Sequence, residues 1–159
     1  MKIALFIGIL FISLFAKEVD LPLELNAWKS LSYVNAAKNT NELPNAVLTL
    51  NKASFVGLHN TPKVVYVSRP IKEGGTVSYG GIFQIEITEK GIYRIALGNA
   101  SWVDVIKDAD FAKSIAHKGG PENTGIHKIL DYSLEAGVYI LQLSAGGDST
   151  TGLLVSKIK

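Results

Sequence analysis

The sequence predicts an all-β protein: an antiparallel β-sandwich of jelly-roll-like form, with about 8–10 short strands. Three observations carry this. From Ala46 onward, short runs rich in β-branched and aromatic residues alternate with Gly, Pro, Asn and Asp. Several runs alternate apolar and polar residues with period two, as a half-buried strand does. No long stretch has the helical period of an amphipathic helix, which argues against a parallel sheet with helical crossovers.

The chain starts "MKIALFIGILFISLFAKEVDLP". Lys2 precedes an apolar run that continues to Ala16, and charge returns at Lys17. The run is short of the ~20 apolar residues that span a bilayer. It has the form of a secretory signal peptide over residues 1–16, with Ala16 as the small residue before the cut. Leu14 is a poor second recognition residue and leaves the exact cleavage position open. The alternative is an uncleaved N-terminal anchor. No cysteine is present, so a lipid-acylated form is excluded.

Residues 17–45 read as a partly ordered N-terminal arm, which Trp28 and Leu31 pin to the body. Their spacing with Val34 allows a short helix over residues 26–38. Residues 46–159 then read as the sandwich domain. Its strand-like runs are "AVLTL" (46–50), "SFVGL" (54–58), "KVVYVS" (63–68), "YGGIFQIEI" (79–87), "IYRIALG" (92–98) and "WVDVIK" (102–107). They continue with "SIAH" (114–117), "IHKILDY" (126–132), "VYILQLS" (138–144) and "GLLVSKI" (152–158). Alternation assigns Phe83, Ile85 and Ile87 to one face, and likewise Tyr93, Ile95 and Leu97, and Tyr139, Leu141 and Leu143. Gln142 falls on the opposite face from Leu141 and Leu143.

An internal echo links "ITEKGIYRIALG" with "YSLEAGVYILQLS". Glu89, Gly91, Tyr93 and Leu97 match Glu135, Gly137, Tyr139 and Leu143. Two copies are too few for a solenoid. They predict two similar hairpins, each turning at a glycine suited to a positive backbone angle.

Composition narrows the function classes. Removal of Lys2 with the leader leaves 15 basic against 14 acidic residues. No basic cluster stands out, so nucleic acid has no electrostatic footprint. Zero cysteines exclude a disulfide framework, thiolate metal sites and Cys nucleophiles. No transmembrane helix is expected beyond the leader.

The pattern "F-x-I-x-I-x-x-x-G-x-Y-x-I-x-L", "W-V-D-V" and "L-x-A-G-x-Y-x-L-Q-L-S" resembles the pre-peptidase C-terminal type of β-sandwich over about residues 80–158. The stretches "GGIF", "GIYRIALGNASWVDVI", "AHKGGP", "GIHKILDYSLEAGVYILQLS" and "LLVSKI" are similar to a family of short exported proteobacterial proteins. Some members carry the name homogentisate 1,2-dioxygenase. The resemblance implies an exported β-sandwich and leaves the biochemical role open. The compact His/His/Glu iron motif of the larger cytoplasmic dioxygenase has no counterpart in this chain. Where a cysteine is expected in relatives, near "GGPENTGI", Asn123 and Thr124 stand instead.

The loop "SIAHKGGPENTGIHKIL" holds the main candidates, His117, Glu122 and His127. If its flanking strands pair, the two histidines face one another near the loop's mouth. Two His and one carboxylate are the donor set of a non-haem iron site, although the spacing His-x4-Glu-x4-His matches no known metal motif. The alternative is a strand connection in which Gly119, Gly120, Pro121 and Gly125 supply turn geometry. In either reading the loop end of a sandwich suits ligand binding. Trp102, beside the "GNAS" turn, is the fourth candidate, with Trp28 and Tyr79 as possible partners in a sugar-stacking platform. Asp104, Asp108 and Asp110 in "DVIKDAD" form a calcium candidate, set against an ordinary hairpin turn. "GGDSTTG" lacks a nucleophile elbow, and the Gly74–Gly75 and Gly80–Gly81 pairs lack a following helix for phosphate.

The sequence thus points to an exported, periplasmic or secreted binding module, with no catalytic residue and no cofactor assigned. Its partner would be an envelope protein, a small molecule or a glycan. Two alternatives are a small metal-dependent enzyme using His117, Glu122 and His127, and a structural envelope protein.

Overall fold

The computed structural model describes residues 19–158. The proposed signal peptide lies outside them. The strands in chain order are β1 (Ser32–Asn35), β2 (Val47–Leu48), β3 (Ser54–Gly57), β4 (His59–Asn60), β5 (Tyr79–Ile87) and β6 (Gly91–Leu97). They continue as β7 (Trp102–Lys107), β8 (Asp110–Phe111), β9 (Ser114–Gly119), β10 (Lys128–Leu134), β11 (Gly137–Gly146) and β12 (Thr150–Lys157). Two sheets form the sandwich. The first runs β1-β3-β12-β6-β10-β9, the second β2-β5-β11-β7-β8, with β4 also pairing β5. The all-β sandwich is as expected, but the sheets are mixed. The β1–β3 and β2–β5 pairs are parallel, because the chain leaves β1, visits the second sheet at β2 and returns at β3.

The faces follow the alternation. Tyr93, Ile95 and Leu97 meet Phe83, Ile85, Ile87, Leu141 and Leu143 in a buried core between the sheets. Each fully buried side chain of this size contributes roughly 1.5–3 kcal/mol.

The N-terminal segment departs from the expected helix over residues 26–38. A 3₁₀ helix spans Leu23–Lys29, and the β-branched and aromatic "SYVN" joins β3 as β1. In a 3₁₀ helix, residues three apart eclipse, so Leu25 and Trp28 point together onto the outer face of the first sheet. There they pack with Ala53, Ala96, Ile126, Ile129 and Leu154 in a second apolar cluster. The Trp28 ring covers Gly152, where an added Cβ would sit 2.5 Å from it. Arg94 on the same face makes paired hydrogen bonds of 2.8 Å to Asp131 and reaches Glu24 on the covering helix. Leu31, expected to help pin the arm, is 43% exposed.

The "KVVYVS" run forms no strand. A 3₁₀ turn (Thr61–Lys63) leads into an irregular segment that lies on the outer face of the second sheet. Pro62 and Pro70 cannot donate to a ladder.

The echo also resolves differently from two hairpins. Each E-x-G turn carries the chain from one sheet to the other, β5 to β6 and β10 to β11. Only Gly137 has the positive backbone angle (φ +145°). What the copies share is a hydrogen bond. Tyr93 donates to the carbonyl of Glu89 at 2.7 Å, and Tyr139 to that of Glu135 at 3.1 Å. Each tyrosine ties down the turn four residues upstream, as a tyrosine corner does. Lys90 bridges the two turns through Glu135 at 2.7 Å.

Candidate functional site: a cleft at the open edge of the sandwich

Strands β9 and β10 do pair across "KGGPENTG", but their register separates the histidines. His117 lies opposite Leu130, and Lys118 opposite Ile129. Directly opposed residues share a face and neighbours along a strand alternate. His117 therefore falls on the inner face with Lys128 and Leu130. His127, an odd number of positions away, belongs to the face of Ile129, and it is exposed. Its backbone donates to Leu97 and accepts from Gly120. Glu122 is exposed at the loop tip. The facing pair expected from the sequence does not form. Among the described residues no group of three His, Asp or Glu side chains is placed to hold a metal ion.

The loop is a built connection. Asn123 and Gly125 take positive φ, Thr124 caps the turn through Pro121 and Ile126, and Trp28 donates to the Thr124 carbonyl at 3.0 Å. Trp28 is thus committed to packing on the first sheet. Trp102 begins β7 in the second sheet, so the two form no common sugar platform, and Tyr79 packs against the main core.

The calcium candidates separate as well. Asp104 is buried on β7, and both its oxygens are used: Trp102 Nε1 donates at 2.7 Å and the Ile71 amide at 3.1 Å. Asp108 and Ala109 have φ of 50° and 69° and form the tight β7–β8 turn, with Asp110 exposed beyond it. Positive φ at both central residues is the hairpin geometry of a type I′ turn.

His117 and Trp102, distant in sequence, do meet. Strand β8 pairs only with the end of β7, at Ile106 and Lys107. On that edge the first half of β7, paired with β11 on its other side, has no strand beside it while the chain crosses to β9 in the other sheet. The sandwich stays open there, and a cleft of about 490 Å³ enters between the sheets. Its walls are Val103 and Leu130, the inner faces of β7 and β10, with Phe111 and Ile71 at the sides. Trp102, 37% exposed, and His117 flank it, with Lys113 and Lys128. Tyr132 lies at its floor, only 3% exposed.

Three of these polar groups, Lys113, Lys128 and Tyr132, were not among the sequence candidates. The Tyr132 hydroxyl has no hydrogen-bond partner among the described residues. Burial, reinforced by Asp104, pushes its phenol up to about 12. The Lys128 ammonium donates to the main-chain carbonyl of Ser101. Burial lowers its proton affinity, and the nearby Lys72 lowers it further. Asp104 fixes Trp102 and, through Ile71, one end of the segment over the second sheet. A signal for Lys128 and Tyr132 did exist: in "KILDY" they alternate with Leu130, which puts all three on one face.

The segment beside the cleft is anchored on a buried polar stripe. Gln142, fully buried, stands opposite Asp104 in the register. Its Oε1 accepts from Val67 (2.7 Å) and Ser68 (3.2 Å), and its Nε2 donates to the Ser68 carbonyl at 3.1 Å. Ser144 Oγ donates to Lys72 at 2.8 Å. The buried side-chain groups of Gln142 and Ser144 thus find their partners in the main chain of this segment.

The arrangement is a concave, mainly apolar site with a few polar groups, of a size typical of small-molecule pockets. Among the described residues no helix is long and apolar enough to cross a membrane. No protein-family model and no curated protein matches the chain.

Proposed function

We propose that the protein is an exported β-sandwich that binds a small molecule in the cleft between β7 and β9. The observation that supports this reading is the open edge itself. An apolar, half-enclosed space is lined by inward residues of both sheets, and at its floor the hydroxyl of the nearly buried Tyr132 makes no hydrogen bond to the described residues. That hydroxyl is free to bond a ligand or water entering the cleft. The leader, read as a signal peptide, would place this site in the periplasm or outside the cell.

The test is a small-molecule screen followed by two-dimensional NMR. Binders are expected to shift the Trp102 indole together with Val103 and Leu130. Binders that map to any other surface, or none from a diverse set, would overturn the reading. Sequencing the N-terminus of the protein after expression of the full chain tests export. A start near Lys17 in the envelope fraction is expected, and an intact Met1 start in the cytoplasm would refute it.

A further inference from the structure

We infer that the ligand of this cleft is a small amphiphilic monoanion, an apolar body carrying one anionic head group. The inference rests on the binding reading above and adds the charge of the ligand to it. The lining contains two lysines, Lys113 and Lys128, and one carboxylate, Asp104. Asp104 keeps its negative charge, but its oxygens are hydrogen-bonded to the Trp102 indole and the Ile71 amide and it forms no ion pair with either lysine, so the lining as a whole stays net positive. Neither lysine has a carboxylate partner among the described residues. Lys128 is half-buried and makes its contacts with neutral carbonyls of Ser101 and Ala100. Lys72, held through its carbonyl by Ser144, adds a third positive charge close enough to act on Lys128.

Half-buried positive charge without an ion-pair partner, as at Lys128, is unfavourable, and an anion entering the cleft relieves it. The Tyr132 hydroxyl offers a donor to the same head group. Beyond these groups the lining adds His117 and Ser114 on β9, while the remaining walls are the apolar side chains of Val103, Leu130, Phe111, Ala112 and Ile71. A polyanion or a sugar would leave its polar groups unmatched there. The cleft's volume of about 490 Å³ equals that of roughly 16 waters at about 30 Å³ each, which suits a small molecule. A short-chain carboxylate is the simplest molecule of this kind.

The test uses octanoate, 1-octanol and octylammonium with the purified exported protein. The Trp102 indole signal is the readout, and the Trp28 indole, on the outer face of the other sheet, is the control. Octanoate is expected to shift Trp102 saturably and to bind more tightly than the other two. Lys128→Gln should weaken octanoate by about fivefold, the size of a partly desolvated ion pair, and leave octanol within about twofold. Lys128→Arg should restore much of the loss. Lys113→Gln, at an exposed position that cannot disturb the core, should weaken octanoate in the same direction. Octanol or octylammonium binding as well as octanoate, or lysine variants that leave the octanoate-to-octanol ratio unchanged, would overturn the inference and leave the cleft as a binding site. Failure of all three probes to move Trp102 would overturn both.

Discussion

Replacing Gln142 with leucine removes the main anchor of the segment over the second sheet, which reaches the cleft at Ile71. Gln142 is fully buried and makes three hydrogen bonds to main-chain groups of Val67 and Ser68. Each is worth about 0.5–1.5 kcal/mol net, so the loss of three amounts to about 1.5–4.5 kcal/mol if the segment stays docked. Leucine fills nearly the same volume and opens no cavity. The segment keeps other ties: Tyr66 to Leu143, Ser144 to Lys72 and Ile71 to Asp104. It can also lift locally and rehydrate the freed groups, which limits the penalty. The expected loss in urea denaturation is therefore about 2 kcal/mol, the low end of that range, with an unchanged m-value. Hydrogen exchange should localise it. The amides of Val67 and Ser68 should lose protection by more than those of β11 and β5. A loss below about 0.5 kcal/mol, with Val67 and Ser68 as protected as before, would refute the argument that side-chain acceptors hold this segment.

Four further outcomes follow from named contacts. Arg94→Met leaves Asp131 buried without its bidentate partner and should cost about 3 kcal/mol in denaturant unfolding, since breaking a buried pair exposes an uncompensated charge. Ala109→Gly should stabilise by up to about 1 kcal/mol, because Ala109 holds φ 69° in the β7–β8 turn and glycine takes that angle without strain. Folded Tyr132 keeps its proton to about pH 12, whereas an unfolded tyrosine titrates near pH 10. That share of stability is full below pH 10 and lost as pH rises through 12, on the order of 2 kcal/mol. Tyr132→Phe should flatten the decline between those limits in denaturation at fixed pH. Elemental mass spectrometry after iron or zinc addition should show the same metal content in the protein and in His117→Ala/His127→Ala, because the register puts the two histidines on different faces of one hairpin. Near-stoichiometric metal lost in the double variant would contradict that register.

Local sequence was sufficient for what depends on neighbours along the chain. Period-two alternation places Phe83, Ile85 and Ile87, or Tyr93, Ile95 and Leu97, on one side whatever the partner strand is. Turn residues bounded β5 and β7 at the residues where those strands begin and end. Pairing is not local. Whether the E-x-G turns close hairpins or carry the chain between sheets depends on which distant strands win the ladder, and both turns cross. The same holds for the site. His117 and His127 seemed a pair because the loop brings their strands together, but a register of odd offset sends them to opposite faces. Gln142 looked solvent-facing by alternation and is instead buried, because a segment about 75 residues earlier in the chain covers it. Alternation in "KILDY" puts Lys128, Leu130 and Tyr132 on one face, but the opening of the cleft itself has no sequence signature. It exists because β8 is too short to cover β7, so one edge of the sandwich never closes, and residues from β7, β9 and β10 share a space that only the packing of two sheets can create.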